Sequence, residues 1–282
     1  MISISEGKKT RRIPNLVKWA GGKGYAIENL MNYVPAYIDT YHEPFFGGGS
    51  LFWNLKQGGV IDGAIISDVN PHLINLLNVV KSQSIDLAEE LTTYVGIGRE
   101  DQYYEIRERF NLKRSKKNLD VEKAAMFLYL NRNCYNGLWR INRKGEFNVP
   151  FGFYKKYYLP SLDNLKTYSE LLQNTAILLD DFSVSMKLCK ESDFVYLDPP
   201  YYSTSGFTEY AGVKFTLKDQ AKLASLFRNL SEKGVFLTES NSNHPEILSL
   251  YHGFNLIQIN GQSLISSKND GRGITNEVII TN

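Results

Sequence analysis

At 282 residues with 43% hydrophobic side chains, the chain has material for one large domain, or for a domain carrying a sizeable insertion. Two cysteines and four scattered histidines exclude a disulfide framework and a zinc site of ordinary spacing, no apolar run approaches the length of a membrane span, and Lys8, Lys9, Arg11 and Arg12 leave no room for a signal-peptide core, so a cytoplasmic protein in a reducing compartment is expected. Net charge is only +2, but residues 107–156 hold 13 Lys and Arg against 4 Asp and Glu, so a basic module sits inside an acidic remainder.

The first ordered segment is expected over residues 16–23, where Trp19 and Lys23 flank Gly21 and Gly22, and it leads into a helix from about Tyr25 to Tyr33. Adjacent glycines let a backbone approach a ligand closely, and a lysine beside them can meet a carboxylate or a phosphate. Next come a strand at residues 40–43, the loop Pro44-Phe45-Phe46-Gly47-Gly48-Gly49-Ser50, and a helix carrying Leu51, Phe52 and Leu55. Such a loop offers backbone N–H groups and a positive helix end to a polar ligand, yet it lacks the Lys-Ser/Thr ending of an ATP phosphate loop. A second strand, 63–68, ends in Asp68 nineteen residues beyond Gly49, the spacing of a ribose-hydroxyl acceptor in nucleotide-binding α/β folds. The alternative is that Asp68 caps the helix that Pro71 opens and that runs to about Lys81.

Residues 85–110 and 121–130 have helical patterns, joined by a basic run at 113–117. Residues 131–152 are polar, basic and aromatic together, with Arg143-Lys144-Gly145-Glu146 as a turn between two short extended arms. Arginines pair bidentately with guanine and aromatic rings wedge between bases, so this hairpin or tight loop is expected to contact DNA. A third strand, 175–179, ends at Asp180, Asp181 and Phe182. Phe194-Val195-Tyr196-Leu197 follows as a covered strand, which Pro199 and Pro200 must stop at Asp198 because they have no N–H for a ladder. Ligands of open α/β sheets gather at the carboxyl ends of strands. An exocyclic amine such as adenine N6 is a poor nucleophile because its lone pair is delocalised into the ring. A carboxylate and a backbone carbonyl that each accept one N–H hold such an amine toward tetrahedral geometry, with Tyr201 stacked on the base. The chain then continues as a polar loop over 202–215, long enough for a lid. An amphipathic helix at 217–232 has Leu223, Phe227 and Leu230 on one face, and strands are expected near 235–238, 254–259 and 277–281. An exposed loop at 266–273 carries Arg272, a candidate phosphate contact.

With these pieces in order, the chain resembles the Dam-type DNA N6-adenine methyltransferases from Lys18 to about Glu277. The resemblance is carried by Lys18-Trp19-Ala20-Gly21-Gly22-Lys23, the Pro44 to Ser50 loop, Ser67-Asp68-Val69-Asn70, Asn136-Gly137-Leu138-Trp139-Arg140, the run from Gly145 to Gly152, and Asp198-Pro199-Pro200-Tyr201. Their order resembles the alpha arrangement of amino-methyltransferases. The resemblance implies an α/β, Rossmann-like sheet dependent on S-adenosylmethionine, formed by residues 1–84 and 172–282. Residues 85–171 would form an inserted, mainly helical DNA-recognition domain with a β-hairpin near 131–152. It implies S-adenosylmethionine as the cofactor, contacted by Trp19, Lys23, Phe45, Asp68 and Asp198, with the Gly47 to Gly49 loop near its methionine portion and Asp180, Asp181 and Phe182 near its adenine. Asp198, Pro199, Pro200 and Tyr201 would be catalytic, and no metal is implied. Double-stranded DNA would be read at GATC and its target base rotated out: Tyr135 wedging, Asn136 facing the orphaned thymine, Leu138, Arg140 and Pro150 reading bases, and Lys18 reaching the outer pair. Trp139 stands where the family carries a smaller residue, a departure expected to bear on flanking preference. Transfer to cytosine N4 and a non-catalytic DNA-binding regulator are the alternatives. A companion restriction endonuclease is left open as a partner, a membrane is not expected as one, and the source would be bacterial or phage.

Overall fold

A computed structural model describes residues 14–94, 99–113, 120–202, 209–210, 213–262 and 274–282. In chain order the elements are α1 (Ile27–Met31), β1 (Tyr41–Glu43), α2 (Ser50–Gln57), β2 (Ala64–Asp68), α3 (Pro71–Ser82), α4 (Ser84–Thr92), α5 (Glu100–Leu112), α6 (Val121–Asn133), α7 (Leu162–Leu171), β3 (Thr175–Leu179), α8 (Phe182–Ser185), β4 (Phe194–Leu197), β5 (Glu209–Tyr210), β6 (Val213–Lys214), α9 (Leu217–Ser231), β7 (Phe236–Ser242), α10 (Pro245–Leu250), β8 (Asn255–Gln262) and β9 (Ile274–Thr281).

Seven strands form one sheet in the order β3-β2-β1-β4-β7-β9-β8. The first five are parallel, and β9 runs antiparallel between β7 and β8. All four residues of β4 are buried, as a strand in the middle of a covered parallel sheet requires. Strand order reverses between β1 and β4, which opens a crevice at their carboxyl ends. The Pro44 to Gly49 loop, Asp68, Asp180 and Asp198 all lie at carboxyl ends of parallel strands, so the topology gathers the motifs that the sequence scatters.

Helix α6 is buried along its whole length from Lys123 to Asn133 and packs on α3, α4 and α5. It lacks an amphipathic period because it has no solvent face. It also runs three residues beyond its expected end at Leu130, so the loop expected to contact DNA starts at Cys134. The expected helix over 85–110 is two helices, α4 and α5. The 202–215 stretch is not wholly loop: β5 and β6 pair antiparallel within it. The expected loop at 266–273, with Arg272, lies outside the described residues.

Candidate active site

The loop after β4 is fixed from three directions. The Lys23 ammonium, only 4% exposed, lies 2.8 Å from Asp198 Oδ1, donates to Oδ2 at 3.0 Å and to the Gly21 carbonyl at 2.9 Å, and stands 4.7 Å from the centre of the Tyr201 ring. Burial raises the Asp198 carboxyl above its ordinary value, and the Lys23 charge opposes that shift. The Tyr201 hydroxyl donates to Glu277 Oε2 at 3.1 Å, while Tyr25 donates to the other oxygen of the same carboxylate. From below, Gln220 Nε2 donates to the Pro200 carbonyl at 3.0 Å. Lys23 and Asp198, 175 residues apart, are thus brought together, a pairing that sequence spacing had not indicated. Glu277, Tyr25 and Gln220 had not been singled out. Gln220 carries a readable signal: it lies three and four residues before Leu223 and Ala224, on the apolar face of α9, where a polar side chain needs a buried partner.

The glycine loop forms a second wall. Gly47 and Gly49 have φ of 46° and 62°, where side chains are strained, and a Cβ on Gly47 would lie 2.8 Å from the Trp19 indole, while one on Gly49 would collide with the Phe46 ring. Asp68, 3% exposed, accepts from Gly47 N–H at 2.9 Å and from Asn70 N–H at 2.8 Å. It does not cap α3. Asn70 does, accepting from His72 and Leu73 through Oδ1 and leaving its own Nδ2 buried without a partner. Phe45 stacks on Phe182 at 5.2 Å, and both rings meet Phe215 edge-on at 5.7 Å. Asp181 caps α8 through Ser183 N–H and lies 3.7 Å from the Lys222 ammonium, beside this aromatic cluster. Glycine-lined backbone, a buried carboxylate, an unpaired amide donor and an aromatic slot together suit a nucleoside carrying a polar tail.

The recognition loop crosses itself through the bridges Cys134 to Phe151 and Ile141 to Phe147, and Tyr135 N–H donates to the Pro150 carbonyl. Tyr135, Asn136, Arg140 and Pro150 are exposed, with Leu138 half-buried. Asn136 holds φ of 53°, a left-handed turn that asparagine tolerates. Arg140 is braced by Asn148, from Nε to Oδ1 at 2.9 Å. The Trp139 ring stacks on Phe147 at 4.6 Å and packs against Phe127, Phe110 and His72, so it pins the loop to the helices. Lys18 exchanges backbone and side-chain hydrogen bonds with Asn131, and its ammonium donates to the Arg132 carbonyl over the Tyr154 ring. The lysine bonded at the root of this loop and the lysine bonded to Asp198 are therefore five positions apart, with four residues between them, a reach of at most about 18 Å.

Two further acids lie beneath the site. Burial pushes Glu43 up to about 8 and Glu239 up to about 7. A carboxyl that keeps its proton when folded but loses it when unfolded makes the folded state bind more protons between the two values, so stability falls as pH rises through that window. Glu43 accepts from the Tyr41 hydroxyl at 2.7 Å, which a glutamine carbonyl can also do. Glu43→Gln should therefore gain stability over wild type as pH rises from 5 to 8, by more than about 1.4 kcal/mol, the worth of one unit. Denaturant unfolding at several pH values measures this, and a difference flat with pH would contradict it.

A sheet of this order, with a glycine loop after β1, an acid at the end of β2 and the Asp198 loop after β4, defines an α/β protein of Rossmann-like fold. The sequence model of the D12 class N6 adenine-specific DNA methyltransferases matches residues 19–265, and the chain belongs to that family. It is 38% identical over 273 residues to the Type II methyltransferase M.MjaIII of Methanocaldococcus jannaschii, covering 91% of this chain and 94% of that one. It is 36% identical to the DNA adenine methylase of Serratia marcescens, over 93% and 96% of the two chains, and 34% identical to that of Escherichia coli, over 93% of each. The protein is a Dam-type enzyme that methylates adenine in DNA. No helix among the described residues is long and apolar enough to cross a membrane.

Proposed function

We propose that the enzyme transfers a methyl group from S-adenosylmethionine to adenine N6 within GATC in double-stranded DNA, after the target nucleotide is rotated out of the duplex. The observation that carries this reading is the Asp198 loop, anchored by Lys23 and tied through the same short segment to the exposed recognition loop. A paired adenine cannot present its amine to any donor, so the recognition loop has to open DNA as well as read it. Tyr135 wedges into the gap, Asn136 faces the orphaned thymine, and Leu138, Arg140 and Pro150 meet base edges, with Lys18 near the outer pair. Residues 1–84 and 172–282 act as the catalytic part and 85–171 as the recognition part.

S-adenosylmethionine supplies a methyl group on a positively charged sulfur. Trp19, Gly47, Gly49 and Lys23 would line its amino-acid end, Asp68 would take the ribose hydroxyls, and Asp181 and Phe182 with Phe45 and Phe215 would border its purine. Asp198 and the Pro199 carbonyl each accept one N6 hydrogen. This draws the amine toward tetrahedral geometry and localises its lone pair, while Tyr201 stacks on the ring. Pro199 and Pro200 hold the loop rigid, so the acceptors are in place before the amine arrives. The Lys23 charge opposes the effect of burial on Asp198 and so favours the ionised carboxylate that can accept.

Asp68 gives the cofactor test. A hydrogen bond to a charged acceptor contributes about 1.5 to 3 kcal/mol, so Asp68→Ala should weaken S-adenosylmethionine binding by tens of fold in calorimetry, with thermal unfolding followed in parallel. Unchanged affinity would leave Asp68 only its role in holding Gly47. Sequence-level specificity is tested by modification-sensitive sequencing of a host expressing the enzyme. N6-methyladenine confined to GATC is expected, and modification at another motif would overturn the GATC assignment. The reading places the enzyme with chromosomal DNA in the cytoplasm of a bacterium, or as a phage product there.

A further inference from the structure

Successive prolines leave the catalytic loop with few handles. Pro199 and Pro200 have fixed φ and no N–H, so the freedom between Asp198 and Tyr201 lies in ψ, and the protein can grip the main chain of this pair only through carbonyl oxygens. Gln220 does so at the Pro200 carbonyl. Behind it runs a relay: Gln220 Oε1 accepts from Asn241 Nδ2 at 3.0 Å, the same amide donates to Glu239 Oε1 at 2.7 Å, and Glu239 Oε2 accepts from the Tyr251 hydroxyl at 2.7 Å. Asn241 Oδ1 accepts from Ser242 N–H at 2.8 Å, which fixes the orientation of that amide. Gln220, Asn241, Glu239 and Tyr251 are all 0% exposed. A buried amide is costly to leave half-paired, so a relay with fixed ends has one low-energy arrangement. In that arrangement the Gln220 amide must turn its N–H toward Pro200, because the reverse would set two carbonyl oxygens against each other.

We infer that Gln220 is a positioning residue for methyl transfer: backed by Asn241, Glu239 and Tyr251, it fixes the Pro200 carbonyl, and thereby the directions in which the Asp198-Pro199 acceptors meet the amine and Tyr201 meets the base. The inference rests on the proposed role of Asp198 and Pro199 as acceptors of the N6 hydrogens. Gln220 grips the loop from behind, so its removal misplaces groups without deleting any of them, and small misplacements near reacting atoms cost rate more than affinity.

The test is steady-state and binding measurement of Gln220→Leu in the full chain with a GATC duplex. At least a tenfold fall in kcat is expected, with KM for the duplex and Kd for S-adenosylmethionine within about twofold of wild type and a cooperative thermal transition retained. Gln220→Glu decides the matter even where the leucine variant folds poorly. Its protonated carboxyl can donate to the Pro200 carbonyl and its ionised form repels it, with Asp198 at the end of β4, Glu239 on β7 and the Tyr251 hydroxyl as the ionisable groups around it. Its kcat relative to wild type at the same pH should therefore fall as pH rises. A folded Gln220→Leu with wild-type kcat, or a Gln220→Glu whose relative kcat is flat with pH, overturns the inference. An inactive Asp198→Ala in the same assay shows that the underlying catalytic reading stands, whereas an active one shows that it has failed.

Discussion

Asp198→Ala should lower turnover by a thousandfold or more while duplex affinity stays within about tenfold of wild type. Removing one preorganised hydrogen-bonding group from a transition state costs about a hundredfold to a thousandfold, and here the group lost is charged and is one of the two acceptors on which activation of the amine depends. The substitution has a second effect, because it strands the Lys23 ammonium, 4% exposed, without its carboxylate. Breaking a buried pair from one side costs about 3 to 5 kcal/mol, so the single variant should also melt earlier. Adding Lys23→Met removes the stranded charge and should restore much of the melting temperature without restoring turnover, which separates chemistry from stability. Cofactor affinity is measured alongside, since Asp198 also borders the cofactor. Near-normal turnover in either variant would remove Asp198 from the reaction.

Arg140→Ala should lose specificity more than it loses affinity. The guanidinium is exposed and is held to Asn148 twice, from Nε to Oδ1 at 2.9 Å and from Nη2 to the carbonyl at 3.4 Å. A bidentate pair with a guanine edge is worth about 1 to 3 kcal/mol of discrimination, so duplexes altered at one guanine of the site should approach the cognate rate within a factor of a few. Lys155 and Lys156, exposed beyond the loop, would act as phosphate contacts that position the duplex without reading its sequence. Alanine at Lys155 should weaken every duplex alike and reduce the salt dependence by about one unit of slope. Competition between cognate and single-base-variant duplexes reads both effects. A uniform loss across substrates for Arg140→Ala would place it among the backbone contacts and move base reading to Leu138, Pro150 and Lys18.

What the sequence made legible was local. A run such as Phe194-Val195-Tyr196-Leu197 before two prolines can end in few ways, and the structure ends it at Leu197, with Asp198 at the mouth of the crevice. Asn70 caps α3, whereas only Asp68 was weighed for that role from the sequence; Asn70 stands directly before Pro71, the first residue of the helix. The packing of Trp139 was not legible because an irregular loop has no period to say which way a ring points, and four aromatic partners from α3, α5, α6 and the loop itself decide it. Lys23 was placed beside a ligand but its partner was not, since the pair is closed by the sheet and not by spacing. The same holds for Glu277, which comes from β9 to receive hydroxyls from Tyr25 and Tyr201. The insertion of β9 between β7 and β8 has no signature in strand propensity, because each strand reads the same whichever neighbour it takes.

The most direct measurement is a crystal structure of the enzyme with a GATC duplex and a non-reactive analogue of the methyl donor. The target adenine should lie outside the stack with N6 within about 3.2 Å of both an Asp198 oxygen and the Pro199 carbonyl, the Tyr201 ring parallel to the base, and Tyr135 in the space the base has left. An adenine still stacked in the duplex, or an extruded one whose N6 meets neither acceptor, would contradict the account.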